Sequence, residues 1–414
     1  VLAALGPVPL VVSAPTGSGK STCVPLWCRQ RSGRVLVVEP RRVACRSLAR
    51  FVASATGGEL GREVGYRHRH EDVSCEATSV LYATPGTALR MHEGGDLSRW
   101  PAVVLDEFHE RHLQTDLLLG LVSALLPDVT KVVMSATVDA SWLAERIGGR
   151  AVSCRGRLHP VTVEHDATEA VPTARNLASR TAAAVERALG RDGDVLVFLP
   201  GKGEIADVAR SLGRRPDVEV VELHGQLSAG EQDRAFDPGS RRRVVLSTNV
   251  AESSVTLPRI TAVVDSGLER RTVYRDGRSV LELCVVSRDS ADQRAGRAGR
   301  LAPGRAVRMW SPAARLAPHR VPEIHRVDLS EMVLEVACAG LSVERLPLVD
   351  PPRGFALEDA RRRLEDLGAL DASGRVTRTG RRMSRLPVDP RMARLLVEAL
   401  DRGEPRLVHD AVDL

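Results

Sequence analysis

Aromatic side chains are scarce in this chain, 3% of 414 residues, while hydrophobic residues make up 43%. Ordinary aliphatic cores are therefore affordable, but aromatic platforms for stacking bases one by one are not expected. Lysine is scarcer still: it occurs only at Lys20, Lys131 and Lys202, so 56 of the 59 basic residues are arginine. A position that keeps lysine against that bias is one to inspect. No apolar run approaches the roughly 20 residues that cross a bilayer. The longest, Leu117 to Leu126, is broken by Gly120 and Ser123, so neither a membrane span nor a membrane partner is expected. The seven cysteines contain no CxxC pair, which favours reduced thiols in a cytoplasmic protein over zinc or disulfides. Repeats and low-complexity tracts are absent. The start lacks an initiator methionine and a basic leader, and the end at Val412-Asp413-Leu414 reads as interrupted helix; the chain is taken as a piece of a longer protein. The net charge of +6 is spread along the chain and is only a mild pull on an anionic partner.

What is present is a run of short Val- and Leu-rich segments, each followed by amphipathic patterning: Leu10-Val-Val-Ser, Val35-Leu-Val-Val, Ser79-Val-Leu-Tyr, Ala102-Val-Val-Leu and Lys131-Val-Val-Met. Continuous apolar strands alternating with helices mark a parallel sheet covered on both faces. The pattern restarts at Asp194-Val-Leu-Val-Phe-Leu and runs through Val218, Arg243 and Ile260 to Gly304-Arg-Ala-Val-Arg-Met-Trp. Two tandem α/β units follow, expected over residues 1–149 and 150–311 with the join near Gly148-Gly149. From about Pro318 the periodicity turns helical, and Gly374-Arg-Val-Thr-Arg-Thr-Gly reads as a β-ribbon. Helices followed by a ribbon predict a winged-helix unit over 312–388, with a truncated helical segment over 389–414.

Three motifs carry chemistry. Ala14-Pro15-Thr16-Gly17-Ser18-Gly19-Lys20-Ser21-Thr22 follows a strand and opens a helix, the arrangement in which backbone N–H groups and a helix N-terminus wrap a phosphate chain. Lys20 would reach the β and γ phosphates and the Ser21 hydroxyl would ligate magnesium. Val103-Val-Leu-Asp106-Glu107-Phe108-His109 is a buried strand ending in two carboxylates. Asp106 suits the metal, and Glu107 the orientation or deprotonation of an attacking water; Ser21, Asp106 and Glu107 form the expected metal set. His109 and His112 flank Glu110, but two histidines without a third ligand are a weak zinc signal. Gln293-Arg294-Ala-Gly-Arg297-Ala-Gly-Arg300 is read as opening a helix that places Arg297 and Arg300 on one face. Arginines delivered across a cleft stabilise charge on a γ-phosphate; a basic helix facing solvent or nucleic acid is the other reading.

Together with Ser135-Ala-Thr137 and Ser247-Thr248-Asn249-Val-Ala-Glu-Ser253, these motifs resemble the DEAH-box helicases of helicase superfamily 2. Asp-Glu-Phe-His-Glu-Arg is similar to the bacterial HrpB branch. The resemblance covers nearly the whole chain and implies two RecA-like domains with ATP and Mg2+ between them. It also implies a single RNA strand across their tops, on a substrate with a 3' overhang, and 3'-to-5' movement. Residues 15–22 with Asp106 and Glu107 would bind nucleotide and metal, and Lys20, Glu107, Gln293, Arg297 and Arg300 would act in hydrolysis. Ser135, Thr137 and His109 would couple hydrolysis to motion. Arg41, Arg42, Thr84, Gly86, Thr248 and Asn249 would contact the RNA backbone. Such contacts read little base sequence and do not by themselves choose between RNA and DNA.

Some readings stay open at this level. Arg41 and Arg42 also suit a solvent-facing helix start. Tyr66-Arg-His-Arg-His70 suits an RNA-facing hook or a polar loop. Where relatives place an aromatic on the adenine, this chain has Leu268, while Arg50 or Phe51 lies near the opposing clamp position. Weak discrimination among nucleoside triphosphates is expected, and the motor motifs do not separate strand unwinding from ribonucleoprotein remodelling.

Overall fold

The computed structural model describes residues 1–403 except 155, 157, 158, 167–169, 191, 253–255 and 276. Ser253 and the chain beyond 403 lie outside the described residues. The first sheet has eight strands: β1 (Leu10–Ser13), β2 (Val35–Val38), β3 (Val64–His68), β4 (Glu71–Val73), β5 (Val80–Ala83), β6 (Ala102–Leu105), β7 (Thr130–Ser135) and β8 (Arg150–Ser153). Their order is β4-β3-β5-β2-β6-β7-β1-β8, parallel except for the β3–β4 hairpin. The period-2 alternation of strands divides each apolar run between two cores. Val35 and Val37 face α1 (Lys20–Ser32) and α2 (Arg42–Ala55), whereas Leu36 and Val38 face α3 (Pro85–Glu93), α4 (Leu113–Leu125) and α5 (Ala140–Arg146).

Tyr66 to His68 lie in β3 and not in a loop or a free hook; Tyr66 is buried, and Arg67 pairs with Asp72 across the turn at 2.8 Å. Gly148 takes φ +64, and a Cβ on Gly149 would lie 2.5 Å from the Pro9 carbonyl oxygen. That glycine pair turns the chain back into the sheet, where β8 pairs with β1. Residues 150–153 therefore complete the first sheet, past the expected join at 149/150, and the passage to the second sheet follows them.

The second sheet is wholly parallel, with strands β9 (Val161–His165), β10 (Asp194–Phe198), β11 (Val218–Leu223), β12 (Arg242–Ser247) and β13 (Ile260–Asp265). The hairpin β14 (Leu268–Arg275) and β15 (Arg278–Val285) leaves it, and β16 (Gly304–Arg308) returns to give the order β11-β12-β10-β13-β16-β9. Helices α6 (Leu177–Ala188) and α7 (Lys202–Leu212) cover one face, and α8 (Ala229–Phe236) and the end of α9 (Arg288–Gly296) the other. The motif at 293–300 closes α9 and runs into a 3-10 turn ahead of β16, instead of opening a helix after the last strand. Small residues permit this: a Cβ on Gly304 would lie 2.2 Å from the Ala298 carbonyl oxygen, so the turn folds directly onto the strand that follows.

Helices α10 (Ser330–Cys338), α11 (Gly354–Asp366), α12 (Arg378–Ser384) and α13 (Pro390–Arg402) form the C-terminal unit. The expected ribbon is a single antiparallel bridge, Leu370 to Val376. Asp371 turns the chain by accepting from the Ser373 and Arg375 amides, and Thr377 caps α12 by accepting from the Gly380 amide, which uses up the segment that a longer ribbon would need. The buried residues of α10 to α13 share one core with α3 and α4, where a Cβ on Gly120 would touch Leu348 at 3.2 Å. The α4 run is thus apolar because it is sandwiched. No helix among the described residues is long and apolar enough to cross a membrane, and the seven cysteines are free.

A candidate nucleotide site between the two sheets

The loop after β1 needs the left-handed region twice, at Gly17 (φ +82) and Gly19 (φ +81), which favours glycine for lack of a Cβ. α1 then starts at Lys20, and its first turn is fixed by the Tyr82 hydroxyl donating to the Ser21 carbonyl at 2.9 Å. Pro15, Thr16, Ser18 and Thr22 complete this loop and first turn. β6 delivers Asp106 and Glu107 beside it. Glu107 and Arg111 adopt φ +49 and +51, a left-handed backbone that costs non-glycine residues about 1 kcal/mol or more and turns the segment sharply at the end of the sheet.

The side chains form a path from one unit to the other. Lys20 Nζ lies 3.6 Å from Glu107 Oε1, and His109 Nδ1 lies 3.3 Å from Glu107 Oε2. His109 Nε2 meets Gln293 Oε1 at 3.2 Å, and Gln293 Nε2 donates to Thr137 Oγ1 at 3.3 Å. Ser135 accepts from the Val138 amide through Oγ at 3.1 Å, and its carbonyl accepts from the Ala14 amide at 3.1 Å. The phosphate loop, the acidic strand end, the Ser135–Thr137 turn and the end of α9 are therefore physically connected. Arg297 Nε donates to the Glu252 carbonyl at 3.1 Å. Arg300 donates to Thr256 at 2.9 Å and lies over the phosphate loop, 3.6 Å from where a Gly17 Cβ would sit.

Electrostatics at this junction favour an anion and a cation arriving together. Burial and the adjacent Arg300 guanidinium push Arg297 well below the usual arginine range, and burial brings Arg300 down to about 10. Two neighbouring guanidiniums, Arg297 buried and Arg300 half-buried, gain from a polyphosphate between them. Burial and the neighbouring Glu107 carboxylate push Asp106 up to about 6, against the opposing pull of Lys20 and the Ser21 hydroxyl. Asp106 Oδ2 is buried without a hydrogen-bond partner among the described residues. An oxygen-rich corner of that kind, beside a serine hydroxyl, fits a hard divalent ion that keeps most of its waters. His109 and His112 do not converge on a common point: His112 joins Glu110 at 2.8 Å and Glu323 at 3.1 Å.

The cleft encloses about 600 Å3 and extends from Thr16, Lys20 and Glu107 to Leu48, Phe51 and Phe236. Phe51 is 61% exposed, and beside it Arg50 and Asp233 pair at 2.8 Å. Leu268 is buried in the second unit's core and is not among the residues lining this space.

The residues expected to contact nucleic acid divide. Arg42, Thr84 and Gly86 line a second groove of about 390 Å3, bordered by α10 and the chain after α12. Arg41 turns away from it: its guanidinium pairs with Glu110 at 2.7 Å and donates to the Asn249 carbonyl of the second unit. Thr248 donates its amide to the Leu223 carbonyl, and Asn249 begins the turn after β12. Arg41 and Asn249 thus bridge the units. Sequence reasoning gave no role to Arg294, which is fully buried between Glu252 and Asp265, each at 2.9 Å. It also passed over Glu110, Arg320 and Glu323. Glu110 and Arg294 lay inside or beside quoted motifs, whereas Arg320 and Glu323 carry no local signal.

Three family matches follow the same order along the chain: DEAD/DEAH box helicase over residues 3–145, helicase conserved C-terminal domain over 180–302, and the helicase-associated winged-helix domain over 360–388. The chain is 36% identical to the human "Probable ATP-dependent RNA helicase DHX34", across 94% of this chain and 36% of that protein. It is 35% identical to the Escherichia coli K12 "ATP-dependent RNA helicase HrpA", across 95% of this chain and 32% of that one. The crystal structure of the Escherichia coli DEAH/RHA helicase HrpB superposes with a TM-score of 0.87 at 36% identity, across 96% of this chain and 53% of that chain. The chain thus spans about a third of these curated relatives and about half of that solved structure.

Proposed function

Because the chain belongs to the DEAH-box helicases, in their HrpB-like branch, we propose that it is an ATP-dependent RNA helicase motor that hydrolyses nucleoside triphosphate between its two RecA-like units. The observation that carries this reading is the path Lys20, Glu107, His109, Gln293, Thr137, with Arg300 over the phosphate loop. It joins the groups that hydrolysis needs to the groups that move.

Lys20 and the amides of residues 15–22 hold the β and γ phosphates, and Glu107 orients and deprotonates the attacking water with Gln293. Arg297 and Arg300 meet the charge that develops on the γ-phosphate. Ser21 and Asp106, beside Glu107, would hold magnesium, which would neutralise phosphate charge when bound. Thr137 and His109, contacting Gln293 from the first unit, transmit the loss of the γ-phosphate to α9. Arg42, Thr84 and Gly86 grip the backbone of a single strand, with Thr248 and Asn249 on the second unit, so binding is largely independent of sequence. Movement is 3' to 5', and strand separation starts from a 3' overhang.

The base end of the cleft offers Leu48, Phe51 and Phe236, with Arg50 paired to Asp233 at 2.8 Å. Apolar faces stack any base, so ATP, GTP, CTP and UTP are hydrolysed at similar kcat/KM. The test is hydrolysis with and without single-stranded RNA and DNA through a salt titration, followed by strand displacement on duplexes with 3' or 5' overhangs. No stimulation by either nucleic acid overturns the motor reading, and preference for the 5' overhang overturns the polarity. Stimulation without displacement leaves ribonucleoprotein remodelling as the output.

A further inference from the structure

The segment entering the C-terminal unit touches both halves of the site. Ala317 accepts from the Arg288 amide at 2.8 Å, at the start of α9. Arg320, its side chain 9% exposed, then inserts into the second unit, 3.2 Å from Glu252 Oε1 and 2.8 Å from Glu269 Oε2. Glu252 is the residue whose carbonyl accepts from Arg297 and whose carboxylate holds Arg294. Three residues later Glu323 inserts into the first unit. Its amide donates to the Arg111 carbonyl at 3.0 Å, and its Oε2 accepts from the Leu113 amide at 2.9 Å, at the start of α4. Its Oε1 meets His112 at 3.1 Å, and His112 in turn holds Glu110, the partner of Arg41. Pro322 stiffens the short span between the two anchors by fixing φ near −53°.

We propose that Arg320 and Glu323 are positioning residues for hydrolysis, holding the Arg297 turn and the Asp106–His112 segment at a set separation when nucleotide closes the cleft. Neither side chain lines the nucleotide cleft, so the strap sets where Arg297 and Glu107 stand without binding nucleotide. The inference rests on the hydrolase reading above. An arginine fork suits the domain-two anchor because one planar group reaches two carboxylates, which a lysine ammonium does less well.

The test measures kcat and KM for ATP with saturating poly(U) RNA, together with melting midpoints, on the whole chain carrying Arg320→Lys, Arg320→Met or Glu323→Gln. Misplacing a finger or an acid by about 1 Å lowers kcat by roughly ten- to a hundredfold. The expected result is that loss in Arg320→Met and Glu323→Gln, with KM within about threefold of the parent. Arg320→Lys should recover part of kcat and melt near the parent, which separates positioning from folding. If both conservative variants keep kcat, or if kcat and melting midpoint fall while KM rises, the strap has no positioning role. A parent protein that hydrolyses no ATP refutes the hydrolase reading itself, and the strap with it.

Discussion

Two arginines of one motif, three residues apart, have opposite duties. Arg294 sits between Glu252 and Asp265 with its guanidinium fully buried, and removing it leaves Asp265 buried without its cation while Glu252 keeps Arg320. Arg294→Ala should therefore destabilise the fold by about 3 to 5 kcal/mol, read as a lower denaturation midpoint. Arg297 contacts a backbone carbonyl and is proposed above to meet the γ-phosphate. Arg297→Ala should leave the midpoint near the parent's and nucleotide affinity largely intact, while turnover with RNA falls by about 10³ or more. Equal loss of binding and turnover would remove the finger assignment. Phe51 is a third case, an exposed aromatic that lines the cleft. Phe51→Ala should raise KM for all four nucleoside triphosphates by a similar factor, of the order expected from 1 to 3 kcal/mol of base stacking. A change confined to ATP would indicate edge recognition by another group.

At the scale of elements, the start of α4 depends on a side chain from a different unit. Glu323 caps it and, with Glu110, encloses His112. Burial pulls His112 down, but hydrogen bonds to Glu110 and Glu323 more than offset this and hold it at about 9. Burial likewise pushes Glu323 up, and His112 more than offsets that, leaving it at about 2. The histidine's folded value lies above its unfolded one, so its stabilisation is complete below about pH 6.5 and fades as pH rises towards 9. The glutamate's folded value lies below its unfolded one, so its stabilisation is present above about pH 4.5 and fades on acidification towards 2. The difference in melting midpoint between parent and Glu323→Gln should therefore be largest near pH 6 and shrink on both sides. A difference flat from pH 4 to pH 9 would refute the linkage. Elements also mark where pattern reading stopped. β14 and β15 were hidden because Arg270, Arg271, Arg275 and Arg278 break any apolar alternation, and their pairing is made by the register Leu268 to Val285 through Arg275 to Arg278.

At the scale of the whole molecule, the two units are held closed by α2 against α8. Arg46 and Arg50 both pair with Asp233 at 2.8 Å, and Arg42 donates to the Gly225 carbonyl at 3.0 Å. These partly exposed ion pairs are each worth on the order of 1 kcal/mol or less, which suits the opening and closing that the proposed function requires of this interface. Asp233→Ala should enlarge the radius of gyration of the nucleotide-free protein in solution scattering and raise KM severalfold, with kcat at saturating nucleotide little changed. An unchanged radius would place the closing force elsewhere. The C-terminal unit shares its core with α3 and α4, so it should travel with the first unit while the second moves against both.

The sequence alone determined the two parallel sheets, because short Val- and Leu-rich runs alternating with amphipathic segments mark strands covered on both faces, and the phosphate loop, because Gly17, Gly19 and Lys20 answer separate local demands at a set spacing. The acid pair was legible for the same reason, whereas the arginine motif, read as opening a helix, closes α9 instead. Tertiary structure alone decided which of these groups meet. Nothing local to Arg41 tells that it faces Glu110 and not a groove, and nothing local to Arg320 or Glu323 tells that a loop between units carries ion pairs to both of them. A buried charge is defined by partners far along the chain, and those partners are brought together only when the layers pack.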